Sequence, residues 1–330
     1  MKTQSFILPL VGLLVLGGGS CWAQANQELD RAVARGLVFV REQGEDWIEM
    51  KGCASCHQVP SMLWSLHEGQ RRGLFSESQA LTDWSDWAFQ WDNWDQSESP
   101  IDQHEAAGKN VETISSFILG ARAALNEAQV KQFRQLLLAT QNEDGSWSAS
   151  GQLPKQKRSP AESDQVTTMW ALLALSATAG TPCDADCGDA VEASRQRAYA
   201  WLQGFETGDS AEWWVARWLV ERDMQPGDAL PWLKHLLAQQ QPDGGWGWLL
   251  SEPSDAFGTG LALYALRDAE LASRHQPAIA AAQEYLRSTQ QDDGSWPVNS
   301  TLDRHRDEVI PTSAHWGTAW ACLGLMSHMP

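Results

Sequence analysis

Three short segments of this chain match one another closely, and their spacing restricts the fold to an assembly of repeated units. They are Gln141-Asn142-Glu143-Asp144-Gly145-Ser146-Trp147, Gln240-Gln241-Pro242-Asp243-Gly244-Gly245-Trp246 and Gln290-Gln291-Asp292-Asp293-Gly294-Ser295-Trp296. Their tryptophans lie 99 and 50 residues apart, which fits one repeat of about 50 residues with a degenerate copy between the first two matches. An apolar helical run precedes each match: 129–140, 229–239 and 278–289. Another follows each: 166–175, 259–266 and 318–326. The unit is therefore helix, Asp-Gly turn, loop, helix. Glycine supplies a backbone conformation that other residues resist, while the Gln and Trp are expected to tie the turn to the neighbouring unit. The degenerate copy is expected over 201–230, with Trp213, Trp214 and Trp218 on its second helix. The second helices are rich in Ala and Gly, as in Thr259-Gly260-Leu261-Ala262-Leu263-Tyr264-Ala265-Leu266, which suits close-packed inner positions. One pair cannot bury its own apolar surface, so the pairs must stack, and closure into a ring would remove the unprotected ends.

The N-terminus reads as a secretory signal peptide over 1–25. Lys2, the apolar run Phe6 to Leu16, small residues Gly17 to Ser20 and the Ala23-Gln24-Ala25 site follow in order. Lipidation at Cys21 and a retained membrane anchor are the alternatives. No later run is long enough to span a bilayer, so no transmembrane segment is expected in the mature chain, which is read as periplasmic or otherwise exported. The formal charge is −18, which disfavours nucleic acid and anionic membranes and would suit a basic partner protein, although solubility alone is the favoured explanation.

Lys51-Gly52-Cys53-Ala54-Ser55-Cys56-His57 contains C-x-x-C-H, the spacing with which two thiols form thioethers to a haem and the adjacent His reaches its iron. Exported chains meet the compartment where such haem is attached, so the sequence predicts one covalent c-type haem on Cys53 and Cys56, with His57 as proximal ligand. A redox dithiol and half of a zinc site are the other readings of the cysteine pair. His104 and Met62 are the first distal candidates, with His67 and His315 behind them, and an open distal face is a further option. Trp84, Trp87, Trp91 and Trp94 recur at helical spacing and are expected on one face, either walling the haem or packing as core, with Asp83, Asp86, Asp92 and Asp95 toward solvent. Cys183 and Cys187 sit in a polar loop where a local disulfide is plausible, and Cys322 reads as a buried thiol.

The three Q-x-x-D-G-x-W segments resemble the repeats of squalene–hopene cyclases and protein prenyltransferase beta subunits. The resemblance covers 111–329 well and the N-terminal third weakly. It implies an all-α fold, an alpha/alpha toroid with an apolar central cavity. The haem segment 26–110 then occupies the first unit and 111–330 forms the repeat toroid, the two being continuous. Activity does not carry over with the resemblance. Hopene cyclases protonate an alkene with an Asp-rich D-x-D-D motif at the start of an inner helix, whereas the matching starts here read Ser163-Asp164-Gln165 and Ser254-Asp255-Ala256. The prenyltransferase zinc set of Asp, Cys and His has no matching Asp and Cys pair, although His315 and Cys322 fall in a somewhat similar segment. The reading that follows is an exported monohaem cytochrome that transfers electrons on a toroid scaffold. Its first alternative is a haem enzyme or ligand sensor with an open iron site and a cavity for an apolar small molecule, and its second is a repeat binding scaffold.

Overall fold

The computed structural model describes residues 18–54, 58–94, 103–183 and 185–329. Amphipathic and apolar runs become helices α1 (Gly18–Lys51), α2 (Gln58–Arg71), α3 (Ser78–Ala88), α4 (Gln103–Gly108), α5 (Val111–Gly120), α6 (Glu127–Ala139) and α7 (Pro160–Ala177). They continue as α8 (Ala185–Leu202), α9 (Ala211–Met224), α10 (Leu230–Ala238), α11 (Ala256–Ala265), α12 (Ala269–Arg274), α13 (Gln276–Thr289) and α14 (Pro311–Met326). Among the described residues the only extended pairings are isolated bridges.

The helices build a closed double ring. Inside, α2 packs on α5, α5 on α7, α7 on α9, α9 on α11 and α11 on α14, and α14 returns to α2. Helices α1, α3, α6, α8, α10 and α13 pack outside this ring against their inner partners. This is the alpha/alpha toroid expected from the repeats. The inner layer is buried nearly all round, as α7 shows with twelve of its residues buried, whereas α13 buries only Ile279, Ala282 and Leu286. Small residues set the closest contact of the inner ring. A Cβ on Gly260 would stand 2.2 Å from the Trp320 carbonyl oxygen, and one on Gly324 would stand 2.5 Å from that of Gly260.

The repeated turn is a staple between successive units. Gln141, Gln240 and Gln290 each donate from Nε2 to the carbonyl of their own turn glycine, at 2.9, 2.8 and 2.9 Å. The same nitrogens donate to a carbonyl on the next outer helix: Ser194 on α8, Ala278 on α13 and Ala32 on α1, at 2.9, 2.8 and 2.8 Å. Trp147, Trp246 and Trp296 are buried and donate from Nε1 to Leu137, Leu236 and Leu286 on the preceding helix. Their backbone N–H groups donate to Thr168, Thr259 and Thr318 on the following helix, at 2.9, 3.0 and 2.9 Å. The turn glycines have φ of +95°, +91° and +86°, and a Cβ there would meet the Arg197, Ala281 or Arg35 carbonyl at 2.6 Å. Any other residue is thus excluded twice, by backbone conformation and by space. The third staple reaches α1, so the turn at Gln290 closes the ring.

The four tryptophans after the C-x-x-C-H segment do not share one helical face. Helix α3 ends at Ala88, where Trp94 Nε1 donates to the Ala88 carbonyl at 2.7 Å and Asn93 Nδ2 to that of Trp87 at 2.7 Å. These donors satisfy the terminal carbonyls and turn the chain back on itself. Trp84 and Trp87 remain on α3, Trp91 is exposed, and Trp94 enters the core against Phe117 and Phe133. Asp83, Asp86 and Asp92 are exposed as expected, and Asp95 lies outside the described residues.

Candidate functional site

The inner helices enclose a central cavity of about 330 Å³ that opens at the end where they begin. Its apolar walls come from α2, α5, α7, α11 and α14: Trp64, Leu119, Val166, Trp170, Phe257 and Trp316. An aromatic plug closes its inner end. Trp64 stands edge-on to Trp170 at 6.2 Å and to Tyr264 at 5.9 Å between ring centres, and Trp320 lies 5.4 Å from Trp64. Aromatic clusters of this kind supply large apolar area at fixed orientation.

Polar groups gather at the mouth. Glu112, in the first turn of α5, accepts a hydrogen bond from Thr167 Oγ1 at 2.5 Å. Glu112 faces cavity space but is surrounded by protein, and this burial pushes its pKa up to about 7, against the opposing effects of Thr167, Ser150 and Arg158. Enclosure by low-dielectric matter disfavours the charged form, so the carboxyl carries a proton through much of the neutral range. Glu212, at the start of α9, is paired. Its Oε2 accepts from buried Arg158 at 2.8 Å and its Oε1 from Trp170 Nε1 at 3.1 Å. Gln156 also lines the cavity; its Nε2 donates to Thr301 at 3.2 Å, and its buried Oε1 has no partner among the described residues.

The two inner-helix aspartates aligned with the cyclase acid motif hold loops. Asp164 accepts from the Ala149 N–H at 2.7 Å. Asp255 caps α11 by accepting from Gly258 and also accepts from the Trp248 N–H, both at 2.7 Å, and burial raises its pKa to about 6. Neither aspartate is followed by a second acid, and Glu162, two residues before Asp164, accepts instead from the Asp209 and Ser210 N–H groups, so the D-x-D-D motif is incomplete at both starts. His315 and Cys322 do not form a zinc site with a third ligand among the described residues.

The sequence-predicted haem residues are placed as follows. Cys53 is buried, with its Sγ 3.5 Å from the Trp94 carbonyl; Cys56 and His57 lie outside the described residues. Met62 is buried in the core against Gly44. His67 Nε2 lies 2.9 Å from Ser85 Oγ, and burial lowers its pKa to about 4. His104 sits on α4. His315 is buried, its Nε2 lies 3.0 Å from Ser61 Oγ, its Nδ1 has no partner among the described residues, and burial lowers its pKa to about 3. Cys183 and Cys187 are bonded in a disulfide, and Cys322 is buried with its Sγ toward the Val33 carbonyl.

Comparison with known proteins fits this geometry. The squalene–hopene cyclase C-terminal domain family matches residues 221–329. A polysaccharide lyase is similar in structure with TM-score 0.56 at 11% identity, covering 90% of this chain and 97% of its own. The type II terpene cyclase MstE from Scytonema, in complex with geranylgeranyl dihydroxybenzoate, is similar with TM-score 0.54 at 13% identity, covering 92% and 98%. No curated protein matches the chain in sequence. The shared fold is the toroid.

These findings correct the haem reading. The similar folds are those of cyclases and carbohydrate-active proteins rather than of a cytochrome. Among the described residues no group of three His, Cys, Asp or Glu side chains is arranged to hold a metal ion. The covalent c-type haem, the iron site and the electron-transfer function are therefore withdrawn. Sequence reasoning missed Glu112 and Arg158. The available signal for Glu112 was one acid at the head of the otherwise uncharged run 111–119.

Proposed function

We propose that the protein binds a small, largely apolar organic molecule carrying one hydrogen-bonding group in the central cavity, in an oxidising compartment outside the cytosol. The observation that carries this reading is the aromatic-walled cavity with the Glu112 carboxyl at its mouth. Pockets of a few hundred Å³, mostly apolar with a few placed polar groups, are the usual form of small-molecule sites. The apolar part of the ligand contacts Trp170, Phe257 and Trp316. Its oxygen meets Glu112, which donates when protonated and accepts when ionised, so the ligand's preferred partner changes across neutrality. Support for export comes from the N-terminal pattern and from the Cys183–Cys187 disulfide, since such bonds persist outside the reducing cytosol. Among the described residues no helix is long and apolar enough to cross a membrane. The reading is one of binding, because the second acid at the mouth, Glu212, is held in an ion pair with Arg158.

The test is a titration with farnesol, a branched apolar alcohol, followed by intrinsic tryptophan fluorescence. Saturable quenching is expected in the wild type. Ser116→Trp places an indole into the cavity that Ser116 lines and is expected to weaken binding about tenfold or more, the cost of losing well over 1 kcal/mol of apolar burial. Absence of saturation in the wild type, or an unchanged isotherm in Ser116→Trp, overturns the proposal.

A further inference from the structure

The opposite end of the ring carries a second concavity, of about 530 Å³, lined by the last turns of the inner helices. The plug separates it from the central cavity, with Trp64 lining both. Four arginines converge on it, Arg71, Arg72, Arg222 and Arg267, in a chain whose formal charge is −18. Cations near helix C-termini are favoured by the exposed carbonyls, and two of the four act in that way. Arg72 donates to the Met329 carbonyl at 2.6 Å, and Arg267 donates to that of Tyr264 at 3.0 Å. Glu68 neutralises Arg71 and Arg72 at 2.5 and 2.6 Å.

Among the described residues no carboxylate neutralises Arg222 or Arg267 in the way that Glu68 neutralises Arg71 and Arg72. Neither forms an ion pair among the described residues, and Arg222 Nη1 is buried without a partner. Arg222 loses proton affinity first to burial and then to repulsion from Arg267. Asp268 is near enough to offset part of this, but its carboxylate caps α12, accepting from Glu270 and Leu271. Each guanidinium is set by an aromatic ring: Arg267 stands 4.1 Å from the centre of Tyr264 and Arg222 5.9 Å from that of Trp218. Two neighbouring like charges, one partly desolvated and with an orphaned donor, are stabilised by an anion between them. Planar guanidinium forks match the oxygens of a tetrahedral oxyanion.

We propose that this end of the toroid is a phosphate-binding site, in which Arg222 and Arg267 hold a phosphate monoester group. The site is separate from the apolar cavity and stands whether or not that cavity binds farnesol. The shared chemistry admits a phosphorylated small metabolite or a lipid phosphate headgroup.

The probe is inorganic phosphate, titrated calorimetrically into the wild-type protein at constant ionic strength, with broadening of its phosphorus resonance as a second readout. Saturable heat and broadening are expected. In Arg222→Gln and Arg267→Gln the affinity is expected to fall about tenfold or more, the loss of one charge-assisted hydrogen bond, while Arg71→Gln, a change at a largely exposed side chain, moves it far less. Co-sedimentation with phosphatidic acid vesicles, against phosphatidylcholine vesicles, separates the sources: retention on phosphatidic acid alone assigns a lipid headgroup, and no retention with phosphate binding intact assigns a soluble ester. Circular dichroism confirms that each variant is folded. If a variant does not fold, the wild-type titration decides alone. No saturable phosphate binding in the wild type, or equal affinity in folded Arg222→Gln and Arg267→Gln, overturns the proposal.

Discussion

Replacing Glu112 with Gln keeps an oxygen to accept from Thr167 and removes only the ability to ionise. The protonated carboxyl is favoured inside the ring, with the pKa raised from 4.5 to about 7 by burial. Because the folded-state value lies above the unfolded one, the folded chain binds more protons than the unfolded chain between them. Stability therefore falls as pH rises from about 4.5 to about 7 and is level on either side. At about 1.36 kcal/mol per pKa unit, the full effect is about 3 kcal/mol, reduced to about 2–3 by water in the cavity. Urea unfolding of wild type and Glu112→Gln, measured from pH 4 to pH 9, isolates the effect, because other titrating groups cancel in the difference. The variant is expected to gain on the wild type steadily through the acidic range and to hold a constant advantage above pH 7. A difference that does not vary with pH would show that Glu112 ionises in the folded protein as it does in water, and the account of the cavity mouth would fail.

Three further outcomes follow from the same contacts. Trp296→Ala removes a buried indole and its bond to Leu286 and is expected to cost about 3–5 kcal/mol in chemical denaturation. Gln290→Ala breaks the third staple's bond to Ala32 and is expected to cost about 1–3 kcal/mol, with amide exchange rising on α1 and α13 before the rest of the ring. His315 is held neutral by burial, its pKa lowered to about 3, so its contribution is whole above its unfolded value near 6.5 and is lost as pH falls toward 3; His315→Asn is expected to flatten the acid limb of the stability profile.

The ring was legible because its information is periodic. Each Gln, Gly and Trp of the repeated turn makes the same bonds three times, and the sequence displays the repetition even where it cannot display the partners. The closure onto α1 was not visible, since Ala32 and Arg35 carry no motif; Ala32 offers only its backbone carbonyl, and the Arg35 guanidinium that donates to Gln290 is one unmarked arginine among many. The tryptophan series from Trp84 to Trp94 misled because helical spacing persists past the point where Asn93 and Trp94 terminate the helix. The cavity was harder still. Trp64, Trp170 and Trp320 come from distant segments and meet only after the ring has closed, and Glu112 acquires its raised proton affinity from the burial that the closed ring imposes. The C-x-x-C-H segment is contiguous in sequence, whereas the central cavity is assembled from residues far apart along the chain.

The central claim is that this axis is a ligand site, and it is tested most directly by a crystal structure of the protein soaked with farnesol. The account predicts the alcohol's chain against Trp170, Phe257 and Trp316, with its oxygen within hydrogen-bond distance of Glu112. An axis that remains without farnesol while the alcohol binds elsewhere, or not at all, would contradict it.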